Sequence, residues 1–165
     1  RASSPGGNIT TGSNIITLGN NSTATANIKV DWTVSSDQRD KTDFTALDLG
    51  LSFVNALNPV TYKWDERSDY GDKTADNWSL SDQTPDGTHK KNWLDVGCKA
   101  QEVEALEQAV GYNKSNKTNL TVSLSPDGEQ YGMKYSKFVP ILVKALQELS
   151  AKNDALEARI ATLEG

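Results

Sequence analysis

The sequence predicts an α+β chain in which a short β-rich stalk leads into a small mixed domain and a long helix closes the end. Three observations carry that expectation. Near the start, Ile28, Val30, Trp32 and Val34 alternate with polar residues, the period of a half-buried strand. The middle mixes period-two stretches with apolar stripes at helical spacing. From Val139 onward, leucines recur every seven residues to the end of the chain. Only 36% of the 165 residues are hydrophobic and the mean hydropathy is -0.59. Those values are low for a compact globule of this length, so part of the chain is extended or partner chains complete its burial.

The elements follow in order. Residues 1–35 are rich in Gly, Asn, Ser and Thr, with strands expected at Asn14–Leu18, closed by Gly19-Asn20-Asn21, and at Ile28–Val34. A ribbon this narrow buries no core alone, which suits the end of a larger β-structure shared between chains. Leu47, Leu51, Val54 and Leu57 form a helical stripe stopped by Asn58-Pro59. Val60, Tyr62 and Trp64 read as a strand. Residues 65–92 are polar, with turn signals at Gly71 and Pro85-Asp86-Gly87, and read as a long loop or exposed hairpin. Leu94, Val96 and Cys98 read as the next strand, and Val103, Leu106 and Val110 as the stripe of a short helix. A hairpin is expected from Leu120, Val122 and Leu124 to Tyr131, Met133 and Tyr135, turning at Pro126-Asp127-Gly128.

Ser136 is the expected N-cap of the last helix, with Pro140 in its first turn. Val139, Leu146, Asn153 and Ile160 take one seam position of the heptad, and Leu142, Leu149, Leu156 and Leu163 the other. The strict period of seven, at the chain end, points to self-association rather than packing within one domain. A buried Asn153 sets register at some cost in stability and leaves dimer and trimer both open.

The formal net charge of -5, from 17 basic and 22 acidic residues, argues against nucleic acid as a partner. No apolar stretch is long enough to span a membrane, no basic amphipathic run suits its surface, and no signal peptide is read. One cysteine allows no internal disulfide and suits a reducing cytosol. With one histidine beside it, a metal site of clustered Cys and His is excluded, and no cofactor is expected. Cys98 reads as a small buried hydrophobe and His89 as a loop residue, so no Ser-His-Asp triad is expected.

Chemistry is concentrated in Ser35-Ser36-Asp37-Gln38-Arg39-Asp40-Lys41, at the seam between the β-rich lead and the mixed domain. Ser36 is a candidate nucleophile and Lys41 a candidate base, given desolvation or a nearby cation to keep the amine neutral. Residues five apart do not share a helix face. The pair therefore meets only through a turn, a helix start or a contact between chains. The bland alternative is a solvated turn or a helix cap.

Four motifs stand in order along the chain. They are Ser36-Asp37-Gln38-Arg39-Asp40-Lys41, Leu57-Asn58-Pro59-Val60-Thr61-Tyr62-Lys63-Trp64, Gly97-Cys98-Lys99-Ala100-Gln101-Glu102-Val103, and the run from Tyr135 to Leu149 ahead of the heptads. Together they resemble the C-terminal intramolecular chaperone domain of phage tailspikes, tail fibres and neck appendages, the endosialidase-type S74 self-cleaving peptidases. The resemblance spans residues 36–164. It implies a homotrimer that holds three β-rich chains in register and then cuts itself off at Ser35–Ser36, with Ser36 as nucleophile and Lys41 as general base. It gives supporting places to Asp37, Arg39, Gln101 and Glu102. It divides the chain into the end of a fibre or tailspike (1–35), the chaperone domain (36–135) and its coiled-coil helix (136–165). Assembly is then expected in the host cytoplasm, with the fibre part in the virion and the chaperone part released. Asp40 and Cys98-Lys99 depart from the apolar residues common in the family, and Asp40 beside Lys41 favours the charged amine. Two rivals are a structural trimerisation module that stays on the fibre and a receptor-binding tip using Trp78 and Trp93.

Overall fold

The computed structural model describes Asn27 and residues 29–165, which fall into two units divided between Phe44 and Thr45. In the first unit the regular element among the described residues is a 3-10 turn, Gln38–Asp40. The strand expected at Ile28–Val34 is not formed by its described residues, and Trp32 is 68% exposed. Alternation marks a chain ready to pair, but a strand exists only with a ladder partner. The described residues supply none. Asn14–Leu18 lies outside the described residues.

The second unit runs α1 (Leu51–Ala56), β1 (Val60–Tyr62), β2 (Asp95–Gly97), α2 (Ala100–Ala109), β3 (Val122–Leu124), β4 (Tyr131–Met133) and α3 (Phe138–Glu164). Its strands make two antiparallel ribbons. In one, Val60 lies opposite Gly97; in the other, Val122 lies opposite Met133. This is the mixed α+β architecture expected. A small core joins Leu49, Phe53, Val103, Val122, Phe138 and Ile141, so helices and the β3–β4 ribbon meet on one set of side chains.

Four local expectations are corrected. First, α1 begins at Leu51 rather than Leu47. Leu49 is fully buried before the helix starts, and Asp48 accepts the Tyr112 hydroxyl at 2.7 Å. The cap comes from elsewhere: Glu148 of α3 accepts the Leu51 N–H at 2.8 Å. A Cβ at Gly50 would overlap that carboxylate, so glycine serves a close approach here. Glu148 is held below the usual carboxyl range chiefly by this N–H, with Lys144 adding its charge.

Second, β2 presents the face opposite to the one expected. Leu94 and Val96 are exposed, whereas Asp95 and Gly97 point inward. Asp95 accepts the Trp64 indole N–H at 3.0 Å, and Gly97 leaves room for the Tyr135 hydroxyl, which accepts the Cys98 N–H at 3.2 Å. Polar anchoring and one missing Cβ thus overrule the apolar alternation. Cys98 is half-buried against the core, and burial pushes its thiol up, with Glu102 adding repulsion.

Third, α2 buries acids along with its apolar stripe. Val110 ends the helix exposed, while Glu107 is only 1% exposed. Its carboxylate accepts the N–H groups of Leu120 (3.0 Å) and Thr121 (2.7 Å) and the Thr121 hydroxyl. An acid on a helix usually faces water; this one fastens α2 to the entry of β3. Glu107→Ala leaves those buried donors unmatched and is expected to lower unfolding stability by at least ~2 kcal/mol, read from urea titration.

Fourth, Ser136 does not cap α3. It lies in a 3-10 turn, Tyr135–Lys137, that runs directly into the helix, whose N-cap position is Lys137. Of the loop and hairpin both left open for residues 65–92, the structure has the loop, with a 3-10 turn at Arg67–Asp69, tied around Tyr70. Its hydroxyl donates to Asp65 at 2.7 Å and accepts the Asp86 N–H at 3.1 Å. Trp78 is half-buried in that loop, donating to the Tyr70 carbonyl at 3.0 Å, while Trp93 is exposed.

Candidate active site

The first unit brings Ser36 and Lys41 together. Asp37 is the N-cap of the 3-10 turn, its carboxylate accepting the Arg39 N–H at 2.9 Å. The turn is closed by Asp40 N–H to the Asp37 carbonyl and Lys41 N–H to the Gln38 carbonyl, both at 3.2 Å. Lys41 then leaves in an extended conformation. Its ammonium reaches back to the Ser36 hydroxyl at 2.5 Å and the Ser36 carbonyl at 3.2 Å. Of the routes open to a pair five residues apart, the structure takes the turn.

Arg39 grips Asp37 through both carboxylate oxygens, the shortest contact being 2.6 Å. The Arg39 guanidinium holds the Asp37 carboxyl below its usual range, and Asp37 in turn raises Arg39. With its charge offset by that carboxylate, Arg39 is a weak source of repulsion toward Lys41. Ser35, Ser36 and Lys41 are all exposed. The geometry for a hydroxyl nucleophile and an amine base is thus present, in open solvent.

Gln101 and Glu102 open α2 of the second unit. Glu102 takes Lys99 at 2.7 Å and the Asn58 amide at 3.3 Å, and its carboxyl is lowered chiefly by Lys99. Gln101 lines a groove of about 800 Å³ that also takes in Tyr62, Trp64, Tyr131 and Tyr135.

Helix α3 has two working faces. Phe138, Ile141 and Ala145 point into the core, with Glu148 continuing the stripe onto α1. The heptad residues Val139, Leu142, Leu146 and Leu149 are exposed beside them, Leu146 at 67%. Every residue from Leu149 onward is exposed, which includes Asn153, Leu156, Ile160 and Leu163. The domain therefore uses a different stripe from the one repeating every seven residues.

Sequence reasoning offered a turn or helix cap in this string without assigning the cap to Asp37, and it missed the reach of Glu148. An Asp just before a polar turn is a recognised capping signal. Nothing local announces that Glu148 caps a helix almost a hundred residues upstream.

Comparison with known proteins gives one family. The Peptidase_S74 model, described as chaperone of endosialidase, matches residues 36–112, beginning at Ser36. No curated protein matches the chain.

Proposed function

Residues 36–112 belong to the chaperone-of-endosialidase family, and on that premise we propose that the chain is an intramolecular chaperone that trimerises and aligns a phage tail fibre or tailspike, then releases itself by cutting Ser35–Ser36. The observation that carries the cleavage is the 2.5 Å contact from the Lys41 amine to the Ser36 hydroxyl.

The chemistry follows from the position of Ser36, directly after the bond to be cut. With Lys41 neutral, its amine takes the Ser36 hydroxyl proton while Oγ attacks the Ser35 carbonyl carbon through a five-membered ring. The C–N bond breaks, the Ser36 nitrogen leaves as an amine with a proton returned from Lys41, and an ester joins Ser35 to Ser36 Oγ. Water then hydrolyses the ester to a Ser35 carboxylate and a free Ser36 hydroxyl. Lys41 must lose its ammonium proton to begin, and removal from water favours the neutral amine. An exposed site in the single chain supplies geometry without desolvation, so burial on assembly is the natural trigger. Cutting is thereby coupled to correct association.

The exposed heptad face supports the oligomer. A free stripe of Val, Leu and Ile beside a separately buried stripe is what a helix needs to serve its own domain and partner helices together. The homotrimer is proposed on the family premise, with Val139, Leu142, Leu146, Leu149, Asn153, Leu156, Ile160 and Leu163 as the seam. We take residues 1–35 as the end of the fibre, 36–135 as the chaperone domain and 136–165 as its coiled coil. Interwoven β-fibres have high contact order and misregister easily. Joining three chains at one end raises their effective concentration and sets alignment. Removing the clamp afterwards makes the product's stability kinetic. Assembly belongs in the host cytoplasm, and the fibre part in the virion.

Intact-mass spectrometry on purified, associated chain tests this reading. Two products are expected, one ending at Ser35 and one beginning at Ser36. A single uncut species in material shown to be trimeric overturns the cleavage and leaves a structural trimerisation module.

A further inference from the structure

The turn that joins Ser36 to Lys41 has no buried residue. Its shape therefore rests on local bonds, and the side chain that supplies most of them is Asp37. One carboxylate oxygen caps the turn on the Arg39 N–H at 2.9 Å, while both oxygens are held by the Arg39 guanidinium. The Asp37 carbonyl takes the Asp40 N–H within the same turn. No hydrogen bond runs from Asp37 or Arg39 to the Ser36 hydroxyl or the Lys41 amine, which contact each other.

We propose that Asp37 is a positioning residue for the Ser36–Lys41 pair. It acts through its cap rather than its charge, and Arg39 positions Asp37 in turn. This rests on the cleavage reading above and adds the element that sets its geometry. A cap needs an acceptor oxygen two residues before the N–H it binds, and asparagine provides one as well as aspartate does. Alanine provides none. If charge were the agent, asparagine would fail too.

The test uses the full chain, assembled, with cleavage followed by mass spectrometry from pH 6 to 10. Asp37→Ala is expected to slow cleavage about 10- to 100-fold, the scale of a misplaced reacting pair. Asp37→Asn is expected to stay within about threefold of wild type at the plateau of its pH profile. Arg39→Ala is expected to fall between them. Asp37→Asn as slow as Asp37→Ala overturns the cap; so does Asp37→Ala at the wild-type rate.

A second readout needs no cleavage. In the Ser36→Ala background, the Arg39 amide is expected to show the low NMR temperature coefficient of a hydrogen-bonded N–H. That signature should be lost in Asp37→Ala and kept in Asp37→Asn. Its persistence in Asp37→Ala overturns the proposal. Wild-type chain that assembles but stays uncut overturns the cleavage reading alone, because the amide signature still decides the role of Asp37.

Discussion

On the proposed Ser36–Lys41 chemistry, Lys41→Met is expected to suppress cleavage at Ser35–Ser36 while residues 45–165 fold as before. Methionine keeps an unbranched side chain of similar length but has no nitrogen to accept the Ser36 proton. Loss of a positioned base costs typically ~10²–10⁴-fold, and the cleavage rate is expected to fall by that factor. Ser36→Ala removes the attacking oxygen and is expected to show no product at all. Both residues are exposed, and neither joins the core of Leu49, Phe53, Val103, Val122, Phe138 and Ile141. Circular dichroism and thermal melting of the two variants should therefore match each other. A Lys41→Met chain cut at the normal rate would refute the amine as base, and a cut Ser36→Ala chain would refute the hydroxyl as nucleophile.

The second large effect separates the two faces of α3. On the proposed homotrimer, Leu149→Asp is expected to give monomers by analytical ultracentrifugation at micromolar concentration. Its aspartate would place a charge within the proposed seam, where burial without a partner is costly. Because Leu149 is exposed in the single chain, the fold of the domain should survive. Ile141→Ala is the counterpart. Ile141 is 2% exposed, against the core. Its truncation is expected to cost ~2–5 kcal/mol of unfolding stability, and to weaken association only as far as the fold loosens. A monomeric wild type would refute the seam. A Leu149→Asp chain that unfolds would show that this face serves the domain after all.

Assembly then links those faces to the site. Cleavage in Leu149→Asp is expected to fall with association, since desolvation of Lys41 is assigned to neighbouring chains. Glu148, one residue from that seam leucine, caps α1. The helix that carries the seam thus also holds the start of the first helix after the turn.

How far each feature was legible follows from the range of the interactions that produce it. Strand and helix identities came from periodicity at Val60–Tyr62, Val122–Leu124 and Phe138–Glu164, although the repeating stripe of the last is exposed in the single chain. The reading failed where a polar side chain did a structural job. At β2, Asp95 and Gly97 took the inward places that Leu94 and Val96 were expected to hold. At α2, Glu107 is buried because three donors of the 120–121 segment converge on it.

By itself the sequence determined the α+β class, the order of most elements, the heptad stripe and the pairing of Ser36 with Lys41 as candidates, because each is encoded in spacing along one segment. Only the tertiary structure decided that a capped 3-10 turn joins the two residues, that α1 starts at Leu51 under Glu148, and that α3 buries one stripe and leaves the other free. Those depend on backbone direction and on contacts between distant segments, where an acid or a glycine is chosen by what approaches it in space.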